Sequence, residues 1–267
     1  MKTALLGGAA LAAVLAAGSG AQAAGFDFLN MDVVSPPAPN GFYVGIDGGW
    51  HQLYNNSIST HSSNDDATGS PFGWKLGEVH NGGWSAFGRI GYQVAPSFRV
   101  ELEGGYRDLQ TRSFIGSADR YPPIGLCGVG STTTCLAPHG HFNVTTGMAN
   151  GIYDFMPQYI IHPFIGGGVG AARAEVGDYG QFANVPAGDA ANQTLSIKTN
   201  DVAFAYQAFA GLSYHATHRL NVDLKYTWLE TSDFRFRTVG SGDLQPGSFR
   251  GHYRDQTLTL GVRYALG

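Results

Sequence analysis

Polar and apolar residues alternate along this chain with a period of two, not 3.6, which is the signature of strands with one polar and one apolar face. The clearest stretch lies between Phe98 and Arg107. Phe98, Val100, Leu102 and Tyr106 alternate there with Arg99, Glu101, Glu103 and Arg107, so one face is apolar and the other carries four charges. Residues 41–51 place Phe42, Val44, Ile46 and Trp50 against Tyr43, Asp47 and His51. Residues 83–94 place Trp84, Ala86, Ile90, Tyr92 and Val94 against Ser85, Arg89 and Gln93. The same alternation predicts strands over 201–215, 220–228 and 256–266. In the last two, Asp223, Lys225 and Arg263 oppose Leu224, Tyr226, Trp228 and Val262. Two further strands are expected over 141–155 and 160–176 with less distinct faces, the first with a bulge near Gly151. In the second, Ile165 and Val169 share parity with Arg173 and Glu175.

The eight strands are joined by connections that alternate strictly in length. Short ones fall at 95–97, 156–159 and 216–219, and long ones at about 51–82, 108–140, 177–200 and 231–251. Consecutive connections of an up-and-down barrel lie on opposite rims, so all long loops share one rim. The expectation is an all-β fold: an eight-stranded antiparallel up-and-down transmembrane β-barrel with short periplasmic turns and four long extracellular loops, all reading as free to vary.

Composition turns this topology toward a membrane. Only 13% of residues are charged, about half the usual share, while 39 of 267 are glycine, about twice the usual share. A soluble surface normally carries more charge, so the apolar strand faces are expected to meet lipid. Aromatic residues near strand ends (Trp50, Trp84, Tyr92, Phe98, Tyr214, Tyr226, Trp228, Tyr264) suit two interfacial girdles. The mild acidity, a net charge of −4, argues against a nucleic-acid partner.

The chain opens with Lys2, a short apolar run from Leu5 to Ala17, and Ala21-Gln22-Ala23, which together read as a secretory signal peptide over 1–23. An extended N-terminal arm is expected over 24–40, with Pro36, Pro37 and Pro39, and the barrel over 41–267.

A closed eight-stranded barrel is just wide enough to be filled by side chains. Here the filling would be Arg89, Arg99, Glu101, Glu103, Arg107, Asp223, Lys225 and Arg263. Because an unpaired buried charge costs several kcal/mol, these are expected to interlock as salt bridges. Glu101 and Glu103, about 7 Å apart on one face, have a spacing open to acid–base chemistry, but Arg99 and Arg107 beside them favour ion pairs. Cys127 and Cys135, in the second long loop, are expected to form a disulfide stapling it, which by the chain-entropy model contributes about 2–3 kcal/mol. His139 with His141, and His215 with His218, lack a third ligand fixed by spacing, so neither metal nor other cofactor is expected. A rim group for lipid A modification could draw on His51, Ser57, His80, His252 and Asp255, which nothing in the sequence links. Gly166 to Gly170 is glycine-rich but has none of the residues of a phosphate-binding loop.

Residues 259–266 resemble the C-terminal assembly signal of outer-membrane barrels, with Thr259, Gly261, Val262, Tyr264 and Leu266 at its positions. Leu266 stands where that signal usually has Phe, and Gly267 follows it. Two stretches resemble the OmpA-like, or porin-family, eight-stranded surface proteins: 148–155 followed by 163–170, and 204–214. The resemblance implies recognition of the C-terminal strand by the barrel-assembly machinery, lipid and lipopolysaccharide as surroundings, and residence in the bacterial outer membrane. No peptidoglycan-binding domain is expected after the eighth strand. The functional expectation is a non-enzymatic, structural or surface-exposed envelope protein whose outer loops meet the environment, with the host or environmental ligand of those loops left open. A narrow channel for small solutes and a lipid A-modifying enzyme stand as alternatives, and a secreted lipocalin-like binder is disfavoured by the charges alternating along the strands.

Overall fold

A computed structural model describes residues 41–54, 59–65, 71–77, 82–111, 113–116, 139–181, 194–237, 239–240 and 248–266. The signal peptide and arm expected over 1–40, and Cys127 and Cys135, lie outside these. The described strands are β1 (Phe42–Leu53), β2 (Ser59–Asp65), β3 (Pro71–Gly77), β4 (Gly83–Ala95), β5 (Phe98–Thr111), β6 (Ser113–Gly116), β7 (His139–Asp154), β8 (Ile161–Gln181), β9 (Thr194–His215), β10 (Leu220–Thr231), β11 (Phe234–Arg237), β12 (Val239–Gly240), β13 (Ser248–Gly251) and β14 (Arg254–Ala265).

Eight of them close a barrel in the order β1-β4-β5-β7-β8-β9-β10-β14, with β14 pairing back to β1 and every pair antiparallel. Its strand pairs can be followed once around, from Tyr43 through Gly91, Glu101, Asn150, Gly168, Gln207, Leu229 and Asp255. The circuit returns to β1 at Leu53, a stagger of ten residues. Over eight strands spaced ~4.8 Å apart, that stagger sets a tilt of about 40° and leaves an interior only side chains can fill.

Alternation sorts the side chains as the sequence pattern requires. Phe42, Ile46, Trp50, Ile90, Leu102, Leu212, Leu258 and Leu260 are exposed on the outer wall, and the alternate positions are buried inside. Aromatic residues cluster at two heights. Phe42 packs on Tyr92 toward the short-turn rim, and Trp84, paired in register with Trp50, packs on Tyr106 toward the other. The eight residue steps from Phe42 to Trp50 span about 27 Å along the strand, or about 20 Å along the tilted axis, close to the height of a barrel's lipid-facing band.

The turns at the lower rim are tight. In the β4–β5 hairpin the Gln93 side-chain amide donates to the carbonyls of Ala95 and Pro96, and the ladder shifts register between Gln93 and Ala95. The expected bulge near Gly151 is absent. Gly151 pairs in unbroken register with Val100 on β5 and with Gly167 on β8.

The long connections depart further from expectation. Segments of the first, second and fourth do not read as free loops but pair into a second sheet, in the order β11-β13-β2-β3-β6. Within the third, β8 and β9 run on past the expected strand ends to Gln181 and Thr194, and β12, from the fourth, adds to β9. The described residues of the outer rim thus lie largely in paired strands.

Candidate functional site

The lumen carries three tiers of polar contacts. Nearest the short turns, Arg99 on β5 grips Asp154 on β7 through Nε–Oδ2 at 2.7 Å and Nη2–Oδ1 at 2.9 Å. Beside them Arg263 Nη2 donates to Ser213 at 3.0 Å, and Ser213 donates to Asp223 at 2.7 Å. His162 stacks on His215 with ring centroids 4.7 Å apart, and His215 bonds Asn221.

At mid-height Arg89 bonds Asp47 at 2.6 Å and Asp223 at 3.2 Å, while Lys225 Nζ meets Glu103 at 2.6 Å. Glu103 lies on β5 and Lys225 on β10, four strands away in either direction, so this pair crosses the full diameter. The Gln207 amide on β9 bridges Glu103 and Asn150 at 3.1 and 2.8 Å. In the upper tier Asp255 takes Arg107 at 3.0 Å, His51 at 2.9 Å and the Thr257 hydroxyl at 2.8 Å.

All eight charges expected inside are buried: Arg89, Arg99, Glu101, Glu103, Arg107, Asp223, Lys225 and Arg263. Glu101 accepts the Tyr43 hydroxyl at 3.1 Å and lies 3.5 Å from Arg89. Three buried carboxylates complete the set, Asp47, Asp154 and Asp255. Asp47 shares the parity of Tyr43 and His51, which marked its face. Asp154 lies on the strand whose faces were indistinct, and Asp255 precedes the expected start of its strand by one residue. Among the described residues the lumen therefore holds five Lys or Arg and six carboxylates, a nearly neutral balance. Two guanidinium groups with an edge left without an acceptor lie against rings. Arg99 stands 5.2 Å from the Phe164 centroid and Arg107 4.8 Å from that of Phe87, where cation–π attraction contributes.

Above the third tier the lumen changes character. Leu53, Leu109, Phe142, Val144, Val176, Leu229, Phe234 and Tyr253 are all buried, forming an apolar layer at the outer mouth in which Phe142 stacks on Tyr253 with centroids 5.8 Å apart. Outside this layer the wall turns polar, with Gln52, Arg173 and Glu175 exposed and Arg254 paired with Glu230 at 2.7 Å.

The remaining candidates find places here. The acid–base geometry considered for Glu101 and Glu103 is taken up by ion pairs. His51 and Asp255 are joined, but His51 faces the Asp108 carbonyl with its other nitrogen at 3.0 Å, and both side chains are fully buried. His252 is exposed near Asp233, while Ser57 and His80 lie outside the described residues. Among the described residues no cluster of three or more His, Cys, Asp or Glu is arranged to hold a metal ion. In the C-terminal strand Thr259 and Gly261 face inward, and Val262, Tyr264 and Leu266 outward. A Cβ on Gly261 would lie 1.6 Å from Asp47 Oδ1, so the glycine makes room for the Asp47–Arg89 pair.

A family model described as surface antigen matches residues 78–239. The chain is 34% identical over 95 residues to the outer membrane protein PagN of Salmonella typhimurium, covering 33% of this chain and 37% of that protein. It is 24% identical over 178 residues to a Rickettsia conorii protein named as a candidate adhesin, RC1281, covering 66% of this chain and 65% of that one. The chain thus spans less than two thirds of the length of either relative. Among solved structures, a major outer membrane protein from Thermus thermophilus superposes with a TM-score of 0.50 at 11% identity, covering 86% of this chain and 100% of that one; this likeness is one of fold alone.

Proposed function

The chain belongs to the surface antigen family, and from that premise we propose that it is a non-enzymatic, non-conducting barrel of the envelope whose work is to hold its outer sheet at the cell surface. Its place is the bacterial outer membrane, and it is a surface protein of that membrane.

One observation carries the non-conducting part. The lumen is crossed at mid-height by the Lys225–Glu103 pair and capped by the buried layer around Leu109, Phe142 and Leu229. An ion entering would have to break charge pairs and then shed its water in an apolar layer, each at a cost of several kcal/mol. The non-enzymatic part is supported by the engagement of His51 on both ring nitrogens beneath that layer. Names of relatives support a surface role: one is a candidate adhesin, and a partner of the outer sheet is the corresponding proposal here. Recognition of β14 by the assembly machinery is likewise proposed, on the outward Val262, Tyr264 and Leu266.

Refolded protein in a planar bilayer tests the reading. Silence across ±100 mV is the expected result, and discrete, reproducible conductance steps would overturn it. Lipid A extracted from cells with and without the protein should have the same mass profile; a new acylation or deacylation product would return the enzyme reading.

A further inference from the structure

Among the described residues three histidines are buried in the lumen, and the partners of one of them fix its protonation. A neutral imidazole has one N–H donor and one bare nitrogen that accepts, whereas an imidazolium has two donors and accepts nothing. His51 on β1 meets an oxygen on each side. Its Nδ1 lies 2.9 Å from Asp255 Oδ1 on β14, and its Nε2 lies 3.0 Å from the Asp108 carbonyl oxygen on β5. A carbonyl cannot donate. The Asp255 carboxylate is an acceptor throughout, for its other oxygen takes Arg107 at 3.0 Å and the Thr257 hydroxyl at 2.8 Å. Both ring nitrogens of His51 must therefore donate. His215 also faces two oxygens, those of Asn221 and Pro157, but a carboxamide can turn its NH2 toward a ring nitrogen and a carboxylate cannot. His162 approaches Asp154 only at 3.8 Å and sets no such demand.

The lumen's charges, counted separately, lead to the same ring. Five Lys or Arg face six carboxylates inside the barrel among the described residues, and a buried negative charge left without a counter-charge is strongly unfavourable. An imidazolium at His51 supplies the sixth positive charge, in direct contact with one of the six carboxylates. The backbone makes room for it. Strand β4 lies between β1 and β5, and its Gly83 stands opposite His51 in the ladder. A Cβ on Gly83 would fall 1.6 Å from the Asp108 oxygen and 2.9 Å from His51 Nε2. A glycine at this one position lets the ring reach past β4 to β5.

We propose that His51 is an imidazolium in the folded barrel and acts as a proton-held latch for the outer mouth. The ring ties β1 to β5 and β14. The same three strands carry Leu53, Leu109 and Tyr253 into the apolar layer, each two residues beyond His51, Arg107 and Asp255. Loss of one ring proton sets a bare nitrogen against an oxygen lone pair, so one of the two ties breaks and the strands beneath that layer are freed. The charged groups facing the ring are Asp255 and, through it, Arg107. Its ladder neighbours Gly83 and Thr257 are uncharged, and Lys225 further down is held by Glu103 at 2.6 Å. The folded chain then binds a proton that an unfolded histidine gives up as pH rises through neutrality, so stability falls as pH rises. The latch stands apart from the non-conducting reading, because the ring protons are counted whether or not the barrel conducts.

The test uses the full refolded chain in lipid nanodiscs, with nitrogen-labelled histidine and the His51 ring assigned through its backbone by NMR. At about pH 7.5, where an exposed histidine is mostly neutral, both ring nitrogens of His51 should carry protons. A bare ring nitrogen at that pH would overturn the proposal. The unfolding rate of the native chain in urea should rise about tenfold between about pH 6 and about pH 9. His51→Gln, with an amide in place of a titrating ring, should lose that rise, and His162→Gln at the opposite mouth should keep it. A native rate that is flat over this range, or an undiminished rise in His51→Gln, would overturn the latch. Unboiled gel migration reports whether each variant is folded, and where His51→Gln is not, the ring spectrum and pH profile of the native chain decide the matter.

Discussion

The belt within the membrane and the mouth above it are made of the same strands with opposite polarity. In the belt β5 points Arg99, Glu101 and Glu103 inward and Val100 and Leu102 into lipid. Three steps of the alternation further on, past Arg107, the same strand buries Leu109 at the mouth. On β8 the outward positions pass from Ile165 and Val169 in the belt to Arg173 and Glu175 above it. Neither region has a different backbone rule. What differs is the surrounding solvent, and the strand's polarity inverts where lipid gives way to water. Charge can fill the belt because no water competes for its pairs, whereas the mouth is an ordinary hydrophobic core, stabilised by withdrawal of apolar area from water.

This contrast can be broken from either side. The largest loss is expected for Arg99→Met, which strands the buried Asp154 carboxylate and removes two hydrogen bonds; about 3–5 kcal/mol should be lost in urea unfolding of the lipid-reconstituted barrel. Phe142→Ala at the mouth should cost about 3–5 kcal/mol by opening a cavity, but through packing alone, so its penalty should not vary with salt or pH. On the outer wall, Leu102→Arg should cost about 2–4 kcal/mol in lipid because it carries charge to mid-belt. The comparison is sharpened by changing both members of a pair. Glu103→Met with Lys225→Met should lie within about 1 kcal/mol of the native protein although each single change is strongly destabilising, as a double-mutant cycle would read. Smallest of all, Arg173→Leu, exposed above the belt, should shift stability by under about 0.5 kcal/mol.

The inversion also explains what could be read in advance. Parity was plain in β1, β4 and β5, where most of the strand lies in the belt and one face stays apolar throughout. It was indistinct in β7, because its inward row runs from Phe142 and Val144 in the mouth to Asn150 and Asp154 in the belt, so neither face is uniformly apolar. In β8 the outward row changes sign at the girdle, which is why Ile165 shares parity with Glu175. The lumen charges were legible as residues on a polar face, but their partners were not. Lys225 with Glu103 and Arg89 with Asp223 are joined across the barrel, and only closure with a ten-residue stagger decides who meets whom. The outer sheet was hidden for a similar reason: β2 pairs with β13 and β3 with β6, segments from three separate connections with no local signal of their partner.

The charged lumen has a bearing on how such a chain travels. A protein bound for the outer membrane must first pass through another bilayer, which captures continuous apolar stretches of about 20 residues as helices. Every strand here that will face lipid carries an inward residue between each pair of outward ones, and in the belt many of these are Arg, Asp, Glu or Lys. Until the barrel closes, no segment displays its hydrophobicity all at once. The residues that lock the finished wall thus also disguise it in transit, and the chain becomes a membrane protein only when its strands pair and send those charges inside.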